Sequence, residues 1–145
     1  MLLNYSLLIA GIGLLPSVTA LRSETKKDAS MPVYGWCDFN WKNTHQVTDV
    51  RCGAWDQACD AHYVYTELYL YSDNSATVLE KKLAYYKNDK GCGTQNWDTG
   101  SAHSWDNLPR SNIFKARTRS CVHIQGLGDD VCYWGNIVDN PYTAG

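Results

Sequence analysis

The sequence predicts an all-β or mainly β fold: a small, disulfide-stapled, antiparallel β-sandwich or barrel-like single domain with room for one short helix. Three observations predict it. Val64, Thr66, Leu68 and Leu70 alternate with Tyr63, Tyr65, Glu67, Tyr69 and Tyr71, a period of two in residue types that suit a pleated surface. The six cysteines are an even number with no Cys-x-x-Cys pair, the usage of an oxidised, disulfide-bonded chain. Long helical patterns are scarce, and Gly, Asn and Asp punctuate the chain at short intervals.

The elements follow in order along the 145 residues. Residues 1–20 read as a secretory signal. "LLIAGIGLL" is apolar but shorter than the ~20 residues that span a bilayer, Pro16 breaks it, and "VTA" places small residues at a cleavage site. The mature protein is therefore expected to be secreted and extracellular, with no membrane partner. Residues 21–32, opening "LRSETKKDAS", are polar and aperiodic and read as a flexible leader, with Lys26-Lys27 as a solvated pair. Residues 33–145 are then one cysteine-rich domain, large enough to bury about two thirds of its surface on folding.

Within that domain "VTDVR" is a short strand candidate. The tyrosine-rich strand is followed by "SDNS", turn chemistry in which Asn74 is suited to the left-handed conformation, and "ATVLEKKLAYY" returns as the second strand of a hairpin. The same return stretch carries a helical alternative, because Thr77-x-x-Glu80 matches a capping box. The hairpin is preferred, since the turn is well placed and the first strand is strong. Residues 91–110 form a long irregular region pinned by Cys92.

The last hairpin carries most of the candidate chemistry. In "FKARTRSCVHI", Phe114, Ala116, Thr118, Ser120, Val122 and Ile124 share the core face, and Lys115, Arg117, Arg119, Cys121 and His123 share the other. If Cys121 opposes Cys132, a four-residue loop from Gln125 to Gly128 closes the hairpin, and a cross-strand disulfide adds about 2–3 kcal/mol by loop entropy. Cys37, Cys52, Cys59 and Cys92 then allow three pairings, among which the sequence does not choose.

Charge bounds the function. The formal net charge of −2 excludes general nucleic-acid or membrane binding by bulk attraction, so any such binding needs a local patch. The candidate contact surface is the basic strand face, Lys115, Arg117, Arg119 and His123, followed by the tyrosine row, with Tyr65 and Tyr69 foremost. Side chains two apart on a strand lie about 7 Å from each other, a pitch that can follow an anionic partner, although a charged face also blocks edge pairing. Glu67, His123 and an arginine could serve a ribonuclease as base, acid and phosphate clamp. The tryptophans read mainly as core, because the chain has only two Phe. Cys59-x-x-His62 is half a zinc pattern without a second half, and Asp129-Asp130 reads as a solvated turn. No phosphate loop or nucleophile elbow occurs, so neither cofactor nor metal is expected.

The signal, the cysteines at 37, 52, 59, 92, 121 and 132, and the hairpin "RSCVHIQGLGDDVCYW" together give a layout that resembles the fungal small secreted cysteine-rich effectors. It is similar in particular to the six-cysteine avirulence effectors of Leptosphaeria and their relatives in other plant pathogens. The resemblance implies a non-enzymatic protein that acts in the plant apoplast or cytoplasm. It would bind a host plant protein and be recognised by a matching resistance protein, directly or through a guarded target. A ribonuclease-like enzyme and a carbohydrate-binding or toxin-like module are the alternatives.

Overall fold

The computed structural model describes residues 20–58, 60–97, 103–105, 111–126 and 128–143, with the backbone alone for Ala84, Trp97 and 103–105. Residues 1–19 of the expected signal 1–20, half of the irregular region 91–110 (residues 98–102 and 106–110), Cys59, Leu127 and residues 144–145 lie outside the described residues.

Nine strands and no helix form among the described residues. They are β1 (Leu21–Glu24), β2 (Val33–Trp41), β3 (Val47–Asp56), β4 (Val64–Tyr71), β5 (Leu79–Asn88), β6 (Gln95–Trp97), β7 (His103–Trp105), β8 (Lys115–Val122) and β9 (Val131–Asp139). One antiparallel sheet runs β1-β2-β3-β6, with β7 also pairing β3, and the second runs β5-β4-β8-β9. The two sheets face each other, β1 packing against β8 and β9, and β3 against β4 and β5. The all-β sandwich expected from the sequence is what forms.

The preferred hairpin also forms. β4 and β5 pair antiparallel through two register shifts, and the capping-box stretch is strand rather than helix. Its turn works differently from the expectation. The left-handed residue is Ala76, not Asn74. The Asp73 carboxylate accepts from the Thr77 and Val78 backbone N–H groups at 2.9 and 2.8 Å, and from the Ser75 N–H at 3.1 Å. One aspartate therefore supplies the acceptors that the loop's own backbone lacks.

Alternation predicts the core well. Val64, Leu68 and Leu70 are buried on the inner face of β4, and Ala116 and Val122 on that of β8. Phe39, Trp41, Val47, Val50, Cys37 and Cys52 meet Leu68, Leu70, Leu83, Ile113 and Ala116 in one apolar cluster. Val33, Ala54, Val64 and Val122 form a second, smaller one. A buried polar seam accompanies them, contributed by Ser23, Thr25, Thr66, Thr118 and Ser120. Thr66 Oγ1 and Ser120 Oγ lie 3.2 Å apart, and the Gly35 N–H donates to Thr25 Oγ1 at 2.9 Å. A Cβ at Gly35 would sit 2.0 Å from Ser120 Oγ, so only glycine lets the sheets approach this closely here.

Two disulfides link directly opposed residues within a sheet. Cys37–Cys52 joins β2 to β3, and Cys121–Cys132 joins β8 to β9, each with a Cα–Cα distance of 4.1 Å. The Cys121–Cys132 pairing is as expected, but the connection is longer than the four residues read from the sequence. The ladder ends at Val122↔Val131, so residues 123–130 make the link. Cys92 is also disulfide-bonded.

The expectation of a flexible leader is corrected. Leu21–Glu24 pairs along β2 from Leu21↔Phe39 to Glu24↔Trp36. The following loop is held by Thr25 N–H to Gly35 O at 2.9 Å and Met31 N–H to Asp28 O at 2.9 Å. Polar composition concealed this strand because its anchoring is through hydroxyl and backbone groups. At the β8–β9 register shift, Thr118 N–H leaves the ladder and donates to Ser23 Oγ at 2.8 Å. Thr118 Oγ1 donates to Ser23 O at 2.8 Å, and Ser23 Oγ donates to Asn136 O at 2.7 Å. On the opposite side, Asn88 Nδ2 donates to Ala54 O and Thr94 O at 3.0 and 2.9 Å, tying β5 to the first sheet.

Ser23→Ala should lower unfolding stability by about 1–3 kcal/mol, because it leaves the buried Thr118 N–H and Asn136 C=O without that partner. Urea unfolding monitored by tryptophan fluorescence checks this, with an unchanged denaturant slope expected.

Candidate functional site

The outer face of the second sheet gathers the candidates. Register places Tyr65 opposite Cys121, Glu67 opposite Arg119, Tyr69 opposite Arg117, and Tyr71 opposite Lys115. On the far side of β8, Arg119 opposes Trp134 and Arg117 opposes Ile137. Trp134 and Ile137 are three apart and would ordinarily face opposite ways. The extra residue taken up at Gly135-Asn136 turns both outward, a standard consequence of a β-bulge. Each is 43% exposed.

The tyrosine row differs from its expectation as an exposed contact strip. Tyr65, Tyr69 and Tyr71 point outward but are buried, because β4 lies between β5 and β8 and the long side chains of its neighbours lean over it. Tyr65 packs against Tyr85, with ring centroids 5.2 Å apart, and Tyr69 meets Trp134 edge-on at 5.2 Å.

The cations are likewise committed within the fold. Lys115 pairs with Asp139. Arg117 donates from Nε to Gly135 O at 2.8 Å while its guanidinium lies over Trp134. Arg119 donates to the Tyr69 hydroxyl at 3.1 Å and also lies over Trp134, 5.6 Å from the ring centroid. Beneath it, Glu67 is only 3% exposed. Its carboxylate accepts from Lys82 Nζ at 2.7 Å and from the Tyr69 hydroxyl at 2.8 Å, with Arg119 Nη1 4.0 Å away. Burial works against the Arg119 charge, but Tyr69 and Glu67 more than offset it and hold its pKa above the ordinary value. The Tyr69 pKa is raised, by burial first and then by Glu67. The Lys82 pKa is raised by its hydrogen bond to Glu67.

His123 belongs to a separate cluster. Its ring stacks on Tyr63 at 4.4 Å, and Nδ1 lies 3.0 Å from Asp130 Oδ1. Asp130 accepts from the Tyr65 hydroxyl at 2.5 Å and from the Ile124 N–H at 3.2 Å. The reading of Asp129-Asp130 as a merely solvated pair is therefore corrected for Asp130, which takes over where the β8–β9 ladder stops. The Tyr65 hydroxyl, with smaller contributions from the Ile124 N–H and His123, holds the Asp130 carboxyl below the usual carboxylate range despite partial desolvation.

The structure thus brings Arg117, Arg119, Tyr69 and Glu67 together and sets His123 apart. His123 N–H bonds to Tyr63 O, four residues before Glu67, which is about 13 Å along a strand. Tyr65 stands between them, so Glu67 and His123 do not converge on one phosphate as base and acid. Around the arginines lies a cavity of about 470 Å³, lined by Tyr69, Tyr71, Leu79, Arg117, Arg119 and Trp134 among others. Val78, Leu79 and Tyr85 add exposed apolar surface on the β5 side. Trp134 is the site residue that sequence reasoning undervalued by assigning most tryptophans to the core. Its position two residues after Cys132, on the same face as that half-cystine, was the available signal. Among the described residues no group of three or more His, Cys, Asp or Glu could hold a metal ion.

No protein-family model, curated protein or solved structure matches this chain. The fold and this face define a disulfide-stapled, two-sheet module whose arginine–tryptophan surface is built on a rigid central strand pair.

Asp130 carries a pH prediction. A carboxyl with a depressed folded-state pKa contributes stability that is present above the unfolded value of about 4 and lost as pH falls through the folded value. Asp130→Asn should therefore be less stable than the parent at pH 7, and the gap should close as the pH drops below about 4. Urea unfolding across a pH series reads this directly.

Proposed function

We propose that this chain is a secreted, non-enzymatic effector-type binding protein that engages a host plant protein through the outer face of its second sheet. The carrying observation is Trp134, 43% exposed, with the Arg117 and Arg119 guanidinium groups both stacked on its ring. Trp and Arg on a preorganised surface, here an exposed Trp134 with half-buried Arg117 and Arg119, are the residue types that dominate protein–protein binding energy. Both arginines already lie in defined positions, so little side-chain entropy remains to be lost on docking. Ile137, Leu79 and Tyr85 extend the apolar surface around them. A mixed apolar and cationic face of this kind fits a partner surface with an apolar pocket rimmed by carboxylates.

The plant host, and recognition by a resistance protein, rest on the resemblance of the chain's layout to fungal cysteine-rich effectors. Disulfide bonding fits an extracellular protein. No helix among the described residues is long and apolar enough to cross a membrane.

Expression in leaves of a host genotype panel, with and without residues 1–20, tests the reading. Genotype-restricted cell death is expected, together with its loss in Arg117→Glu/Arg119→Glu and in Trp134→Ala. For the captured host partner, Trp134→Ala should weaken binding by about 2 kcal/mol, roughly thirtyfold. Full response and unchanged binding in the folded double variant would exclude this face. Cleavage of RNA by the purified protein, abolished by Glu67→Gln, would replace the binding reading with an enzymatic one.

A further inference from the structure

The opposite side of the sandwich carries a second, chemically different surface. On the outer face of the first sheet, four strands present residues in register. Arg22, Asp38 and Arg51 form one lateral row. Trp36 opposes Gly53 in the next. Tyr34, Trp55 and Gln95 form the third. Between them lies a trough of about 420 Å³, lined by Arg22, Lys27, Tyr34, Trp36, Asp38, Arg51 and Gln95 among others. That volume is ordinary for a small-molecule site.

The floor is aromatic and flat. A Cβ at Gly53 would lie 2.3 Å from the Trp36 ring, so the indole can lie across the β3 backbone only because position 53 has no side chain. Tyr34 stacks beside it, with ring centroids 5.3 Å apart. Two cations cover this platform: the Arg22 guanidinium over Trp36 at 5.8 Å, and Lys27 Nζ over Tyr34 and Trp55 at 5.7 and 5.2 Å.

The charges are unevenly matched. Arg22 is held by Asp38 through two hydrogen bonds of 2.7 and 2.8 Å, and the Tyr34 hydroxyl is taken by Glu24 at the margin. Arg51 stands directly opposite the same Asp38 in the ladder, but the carboxylate is turned to Arg22. Among the described residues neither Arg51 nor Lys27 forms an ion pair. Lys27 sits over Trp55, four residues along β3 from Arg51, so the two cations mark opposite ends of the trough about 13 Å apart.

We infer that this trough binds an acidic oligosaccharide, a short chain of pyranose rings carrying anionic groups on more than one ring. Tyr34 and Trp36 are 7% and 6% exposed beneath these cations, so the rings' apolar C–H faces would stack on them once Lys27 swings from Tyr34 and Trp55 and the Arg22 guanidinium slides from Trp36. Arg51 and the displaced Lys27 would take the anionic groups at the two ends. The Asp38 carboxylate and the Gln95 amide would accept ring hydroxyls. A mononucleotide also offers a flat ring and an anion, but its charge is concentrated at one end and leaves one cation unused. Carboxylates of a uronate and sulfate esters of a sulfated glycan share this chemistry.

Calorimetric titration of the purified, oxidised chain tests the inference. The ligands are a short oligouronate, a sulfated oligosaccharide and a neutral oligosaccharide of the same length, a mononucleotide and inorganic phosphate. An anionic oligosaccharide should bind, with affinity falling as salt rises, and whichever anionic chain binds more tightly names the source. Lys27→Gln and Arg51→Gln, both at exposed positions, should each weaken it about tenfold. Arg117→Glu/Arg119→Glu should bind the sugar like the parent, which separates this site from the protein-binding face. Equal binding of the neutral chain, tighter binding of the mononucleotide, unchanged affinity in both trough variants, or no binding of either anionic chain would overturn it.

Discussion

Ser23 holds the two sheets in register with each other, and both proposed binding surfaces depend on where it sits. The β8–β9 bulge releases the Thr118 N–H from its ladder inside the protein, where no water is at hand to receive it. An unpaired buried N–H is costly, so the bulge is tolerable only with an acceptor brought from elsewhere. β1 brings it, and Thr118 returns a bond from its own hydroxyl to the Ser23 carbonyl. The same bulge turns Trp134 and Ile137 to one side, creating the exposed part of the arginine face. The same strand places Arg22 beside Asp38, which sets the charge pattern of the trough.

Cohesion is divided between two kinds of bond. The two disulfides Cys37–Cys52 and Cys121–Cys132 each join neighbouring strands of one sheet, and neither crosses between the sheets. They stiffen hairpins. Among the described residues, association of the sheets rests on the two apolar clusters, the hydroxyl seam near Gly35, and the edge bonds of Ser23 and Asn88. Seam hydroxyls have few alternative partners once buried, so they specify one alignment of the sheets more sharply than apolar contact does.

The two outer faces then follow from position within their sheets. β4 is central, and its outward tyrosines and Glu67 are roofed by Lys82, Tyr85, Arg119 and Trp134, giving a rigid surface in which every charge is engaged. On the first sheet, Gly53 removes a side chain from the middle of β3, so the Trp36 ring lies across the backbone there and a trough rimmed by Lys27 and Arg51 is left above it. The β4 face is the one proposed for a macromolecular partner, and the trough the one proposed for a small ligand with charge at both ends.

Much of this was legible in local sequence. The period of two around Leu68 and Leu70, the inward and outward sets on β8, the turn after Tyr71 and the Cys121–Cys132 pairing depend on neighbours close along the chain. What the sequence by itself determined was therefore which residues of β4 and β8 face the core. What only the tertiary structure decided was which outward residues stay exposed. Tyr65 and Tyr69 face outward yet are covered, because exposure depends on which strands flank them. Leu21–Glu24 looks like a leader yet is a strand, because its partners lie in β2 and at Thr118 and Asn136. Trp134 and Asp130 owe their roles to a bulge and to a truncated ladder. These are long-range pairings, and a register shift of one residue reverses a side chain's face without leaving a trace in local periodicity.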